Sequence, residues 1–202
     1  MKIKQIEAIL KQEKTIIVAE TPYCQWLGNG SAFYPVHGLP KLTKENIFTL
    51  FDIAEDKRDK FYFEERPLPA YLNFEDGDSS EQMLERGSIA FIAEGRALEP
   101  LKTSQGIAFI NSRYLKPFSN EPNGYELYER MDENGHIYIA VKAGFILLGV
   151  IAPYDLVGDK FIQTLETILE LSRVTWFNKA QKRSEAIAQM SMDDANEEEE
   201  ES

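Results

Sequence analysis

Apolar residues first recur at the spacing of a helix face. Ile3, Ile6, Ile9 and Leu10 predict a helix from Ile3 to about Lys14, and the β-branched run Thr15-Ile16-Ile17-Val18-Ala19 predicts a strand directly after it. Tyr23 to Leu27 and Ala32 to Val36 flank Gly28-Asn29-Gly30, where Asn and Gly accept positive φ, so this stretch reads as a β-hairpin. Beyond Gly38-Leu39-Pro40, the positions Ile47, Leu50, Phe51 and Ile53 predict a second helix over Lys44 to Ala54, with Thr43 as its N-cap. Phe61-Tyr62-Phe63 then reads as a strand.

The cluster Pro67, Pro69, Gly77, Asp78, Ser79 and Ser80 marks a loop, and any division into two lobes is expected near 67–80. Ser79 to Arg86 reads as a short helix stopped by Gly87. Ser88 to Ala93 and Gly106 to Asn111 read as strands, and the runs Tyr125 to Met131, His136 to Lys142 and Phe145 to Ala152 predict an antiparallel meander. The last run is apolar on both faces, which places it centrally. Asp159 opens the clearest helix: Phe161, Ile162, Leu165, Ile168, Leu169 and Trp176 fall on one side, and the periodicity continues to about Lys182. The expected fold is therefore α+β, an antiparallel sheet of hairpins and a meander packed by amphipathic helices. The long C-terminal helix is expected to lie on the sheet, with one domain over residues 1–183 and a flexible acidic tail over 184–202.

Composition refines this picture without naming a chemistry. The chain of 202 residues is 43% hydrophobic and 28% charged, enough apolar material for a core. Its charge of −12 comes from 34 acids against 22 bases; without the seven acids between Asp193 and Glu201 it is 27 against 22. Such a tail opposes unguided contact with phosphates. Cys24 is the only cysteine, so no disulfide forms within the chain, and two histidines, His37 and His136, do not furnish a zinc site of ordinary spacing. The longest apolar stretch is too short for a bilayer and the first residues lack the apolar segment of a signal peptide, so a cytoplasmic location is expected.

Catalytic and cofactor motifs are missing. Gly28 and Gly30 begin a dinucleotide fingerprint whose third glycine position is Phe33 and whose flanks are both strands, so no cofactor is expected. A small hydrolase remains as one alternative. It would use Cys24 with His37 across the hairpin as thiol and base, or a carboxylate pair drawn from Asp52, Glu55, Asp56, Glu64 and Glu65. As interface anchors the sequence offers the aromatic hairpin residues Trp26, Phe33 and Tyr34, together with the Trp176-Phe177 pair near the end of the last helix's stripe. As contacts to phosphate or nucleic acid it offers Lys4 and Lys11 on the first helix and Arg113 and Lys116, which alternate with aromatics before Pro117.

Trp26 to Ile53 and Lys142 to Ile168 share one order: strand, glycine joint, strand ending near a proline, loop, helix. That order is similar to sliding clamps, and the resemblance implies a DNA replication accessory protein, a ring with basic helix faces lining its hole. Lys4 and Lys11 meet that demand, opposite Ile6 and Ile9. Gln163, Thr167 and Glu170 on the last helix, and Glu45, Thr49 and Asp52 on the second, do not. The favoured expectation is thus a non-catalytic intracellular binding protein, a regulator or assembly factor working through protein contacts, with a homo-oligomer open to it, no membrane, and nucleic acid less favoured.

Overall fold

The computed structural model describes residues 3–200, with side chains described through residue 187. Helix α1 (Ile3–Glu13) buries Ile6, Ile9 and Leu10, and Lys14, at φ 53°, turns the chain into β1 (Thr15–Glu20). The hairpin β2 (Gln25–Gly28) and β3 (Ala32–Val36) is closed by Asn29, whose Oδ1 accepts the amides of Ser31 and Ala32 at 3.0 and 2.9 Å, while Gly30 adopts φ 91°. Helix α2 (Lys44–Leu50) starts from a capping box: Thr43 Oγ1 accepts the Asn46 amide and Asn46 Oδ1 accepts the Thr43 amide. It ends at Leu50, short of Ala54, because Asp52 takes φ 47° and breaks the helical path. The short helix α3 (Glu55–Arg58) leads into β4 (Tyr62–Glu65), which runs parallel to β1.

After a long loop come β5 (Gln82–Met83), β6 (Glu85–Arg86), β7 (Phe91–Ala93), β8 (Arg96–Thr103) and β9 (Gly106–Asn111). A 3-10 helix (Ser112–Phe118) follows, then β10 (Glu126–Met131), β11 (Ile137–Ala143), β12 (Ile146–Ile151) and helix α4 (Asp159–Glu200). Eight strands form one sheet in the order β4-β1-β2-β3-β12-β11-β10-β5; a second, four-stranded sheet pairs β8 with β6 and β7 and with β9. The meander β1-β2-β3 and the meander β10-β11-β12 meet at β3 and β12, which run antiparallel with Phe33 opposite Val150 and Ala32 opposite Ile151. The run apolar on both faces is thereby interior, as expected.

Strand periodicity sorts the two faces of the large sheet. Ile16, Val18, Leu27, Tyr34, Ile139, Val141 and Ile151 point to one side, where α1, α2 and the 3-10 helix supply Ile6, Leu10, Ile47, Phe48, Leu115 and Phe118. Ile17, Ala19, Trp26, Phe33, Tyr138, Ala140 and Val150 point to the other, where the loop over 66–81 lays down Leu68, Leu72 and Phe74.

One expectation needs correction, and one strand was not foreseen. Ser79 to Arg86 is not a helix: Gln82 and Met83 pair with Glu129 and Tyr128 of β10, and the Leu84 amide donates to Leu127 O, so an open sheet edge captures a segment whose own helical signal is one short turn. β8 went unforeseen because Arg96, Glu99, Pro100 and Lys102 disguise it, yet Leu98 and Leu101 are wholly buried.

Chain contacts define two units, Met1–Asp155 and Leu156–Ser202. The 67–80 loop lies inside the first. The second consists of α4 and its lead-in; the acidic run from Asp193 falls outside the residues whose side chains are described. Among the described residues no helix is long and apolar enough to cross a membrane.

Candidate functional site

The hairpin aromatics present no surface to a partner. Trp26, Phe33 and Tyr34 are 4%, 3% and 0% exposed, which corrects their reading as interface anchors. The cause is the 66–81 strap and the helices beneath. Phe74 stands edge-on to both Trp26 and Phe33, at ring separations of 5.0 and 5.9 Å, and Tyr34 donates its hydroxyl to Tyr114 O at 3.0 Å on the opposite face.

Cys24 and His37 flank the end of the β2–β3 ladder, one position beyond the pair Gln25 and Val36. The Thr21 hydroxyl donates to Cys24 O at 2.9 Å and lies 3.8 Å from its sulfur, and no hydrogen bond joins the thiol to exposed His37 among the described residues. Asp52, Glu55, Asp56 and Glu65 are exposed, and Glu64 faces Arg66 at 3.4 Å. No group of three metal-binding side chains occurs among the described residues. A cavity of about 190 Å³ beside the strap is lined by Arg66, Tyr71, Asp132, His136 and Ser31. Its Asp132 is already committed, because Asn134 and His136 donate their amides to its Oδ1 at 2.8 Å each.

The four basic candidates lie on two elements that pack together, α1 and the 3-10 helix. Acids of α1 answer two of them: Glu7 Oε1 takes Lys11 at 2.6 Å, and Glu13 lies 3.8 Å from Arg113. Lys4 and Lys116 are exposed, while Tyr114, Leu115, Pro117 and Phe118 of the same 3-10 helix are core residues and offer no stacking platform.

A cluster that sequence reasoning passed over lies under the strap. Arg130, 0% exposed, uses all five guanidinium N–H donors: Nε and Nη2 reach Glu81 Oε2 at 3.1 and 2.7 Å, Nη1 reaches the carbonyls of Asn73 and Glu75 at 3.1 and 2.8 Å, and Nη2 reaches Asp76 O at 3.2 Å. Lys142 Nζ takes the other oxygen, Glu81 Oε1, at 2.5 Å and lies 5.1 Å from the Tyr128 ring. Asp76 Oδ1 accepts the Leu147 amide at 2.7 Å. This network fastens the strap to the sheet and has every donor of Arg130 occupied, so its work is structural. The readable signal was period two: Arg130 and Lys142 share the face of Tyr128, Tyr138 and Ala140.

The opposite condition holds on α4. A unit made of one helix has no core of its own, and its large side chains are exposed: Ile162 45%, Leu169 52%, Trp176 74%, Phe177 68% and Ile187 60%. The expected stripe is therefore present and unburied. Ile162, Leu169 and Trp176 recur every seven residues and hold one line. Leu171, Val174 and Phe177 recur every three and occupy the other flank, so this stretch is apolar on two sides.

An α+β body of two joined meanders, with a single-helix unit bearing uncovered aromatics, is the class of protein that the architecture defines. The chain matches no family model, no curated protein and no solved structure.

Proposed function

We propose that the protein is a non-catalytic binding protein that acts through protein contacts made by α4. The carrying observation is the exposure of Trp176 and Phe177, 74% and 68%, on a helix that has no core of its own. Exposed contiguous apolar surface on this scale marks interaction sites, and buried aromatic anchors dominate the energetics of such interfaces. The two flanks differ in character, one carrying Trp176 with charged neighbours and the other Leu171, Val174 and Phe177.

The reading is tested with a photo-crosslinking residue placed at Phe177 and, separately, at Tyr23, which is 87% exposed on the body. Covalent adducts formed from position 177 and not from position 23 are expected. Equal labelling from both positions, or none from 177, would remove the proposal.

The alternatives draw on less. A DNA-encircling function rests on Lys4 and Lys11, of which Lys11 faces Glu7, and the separate phosphate candidate Arg113 faces Glu13. A thiol hydrolase is left with a Cys24 thiol that no hydrogen bond joins to His37 among the described residues.

A further inference from the structure

We infer that α4 pairs with α4 of a second copy of this chain in an antiparallel two-stranded coil. The inference rests on α4 being a partner helix and names that partner. Starting at Ile162 and stepping alternately by four and three residues, as a coiled-coil seam requires, one reaches Ile187. Every side chain on that line is exposed.

Laid antiparallel on itself about a two-fold axis between Val174 and Thr175, the seam is self-complementary in each layer. Ile162 faces Ile187 of the second copy, Glu166 faces Arg183, Leu169 faces the small Ala180, and Arg173 faces the ring of Trp176. The layers are thus apolar on apolar, anion on cation, large on small, and cation on aromatic face. Two-fold symmetry provides each layer twice. A parallel, in-register pair would instead set Glu166 against Glu166, Arg173 against Arg173 and Arg183 against Arg183. Charge therefore selects the antiparallel arrangement, and neither Glu166 nor Arg183 has an ion pair among the described residues that would compete for it.

The available area suits such a pair. At roughly 150–250 Å² per large side chain, the exposed parts of Ile162, Leu169, Trp176 and Ile187 amount to about 500 Å² per copy. Two copies then reach on the order of 1,000 Å², close to the ~1,200 Å² at which stable interfaces begin, before the arginine stems are counted. Phe177 flanks the seam beside Trp176, within reach of the second copy, whereas Val174 and Leu171 stay outside it.

The test uses the full chain and a charge-reversal cycle: Glu166→Arg, Arg183→Glu, and both together, with mass followed by light scattering across a concentration series. The parent is expected at twice the chain mass of 23.1 kDa. Each single reversal places like charges in two layers and is expected to raise the dimer dissociation constant about tenfold or more, and the double reversal is expected to restore it to within about threefold. A dimer indifferent to the single reversals, or one that the double reversal fails to rescue, overturns the antiparallel register. A trimer or larger assembly overturns the two-stranded pair. A monomer at every concentration overturns self-pairing, and adducts from position 177 to a different protein would then leave α4 standing as a partner helix with another occupant.

Discussion

Glu81→Ala strands two buried cations at once. The Glu81 carboxylate takes Arg130 on one oxygen and Lys142 on the other; the three side chains are 18%, 0% and 5% exposed. Removing the anion leaves two of the guanidinium's donors, the buried ammonium and their mutual repulsion without an answer. Breaking a buried pair from one side costs about 3–5 kcal/mol. The carbonyls of Asn73, Glu75 and Asp76 still hold the far side of Arg130, so the cost remains in that range and does not add a second full pair. At roughly 2–4 °C per kcal/mol for a protein of this size, Tm falls by about 6–20 °C. The loss is local first: limited proteolysis is expected to cut within 66–81 before the sheet melts. A Glu81→Ala protein melting within about 2 °C of the parent, with the strap equally resistant to protease, would refute the assignment of Arg130 and Lys142 as its fasteners.

The same carboxylate sets an acid limit. Burial pushes the Glu81 carboxyl up, but hydrogen bonds from Lys142 and Arg130 and their charges outweigh it and hold the group below its ordinary value of 4.5. A carboxyl depressed in the folded state contributes stability that is complete above the unfolded value and drains as pH falls through the folded one. Asp78, lowered from 3.8 by Ser80 and Asn73 against its own burial, acts in the same direction. Unfolding free energy should therefore decline below about pH 4.5, and Glu81→Gln, which has no proton to take up, should show a shallower decline than the parent. Superimposable acid profiles would contradict the linkage.

Three further substitutions probe the packing. Phe74→Ala removes the ring wedged against Trp26 and Phe33 and is expected to cost about 3 kcal/mol, with a red shift of Trp26 emission read in a Trp176→Phe background; unchanged emission would show that the strap does not seal this face. Gly149→Ala sets a methyl 2.8 Å from Phe118 Cζ and 2.9 Å from Phe33 O at the centre of the sheet, so denaturant titration should show a loss of about 1–3 kcal/mol. Thr43→Ala takes away one half of the capping box on α2 and should cost about 1 kcal/mol, seen as faster hydrogen exchange at Asn46 and Ile47.

Local periodicity made most of the main sheet legible. The Ile3 to Leu10 stripe, the Asn29 hairpin, the Thr43 cap and the final meander all depend on residues near one another in the chain, and each stands where it was expected. What escaped depends on partners far away. β5 exists because β10 offers an edge, and β8 because β7 and β9 flank it, so neither had to advertise itself through its own alternation. Trp26 and Phe33 resembled anchors because nothing local shows that Phe74, some forty residues later, will cover them. Arg130 was passed over for the same reason, as its partner Glu81 is 49 residues away.

Both faces of the large sheet are covered by the first unit's own residues, one by helices and the other by the strap. The strap has little secondary structure, so its backbone carbonyls need donors, and a buried arginine with five of them supplies three carbonyls and one carboxylate together. That explains why cations sit in an otherwise apolar layer, and why they sit on the strap face and not under the helices, whose backbone groups are satisfied internally. The body thus has an answer for its apolar surface and for the polar backbone laid across it. α4 has no core of its own, yet when the helix is reversed on itself its seam sets Glu166 opposite Arg183, Leu169 opposite Ala180, Trp176 opposite Arg173 and Ile162 opposite Ile187. A solubilising appendage has no need of that order. A helix that meets its own copy does, and the reversals at Glu166 and Arg183 test the pairing itself: either one alone should weaken the dimer, while the exchange of both, which leaves composition and net charge unaltered, should restore it.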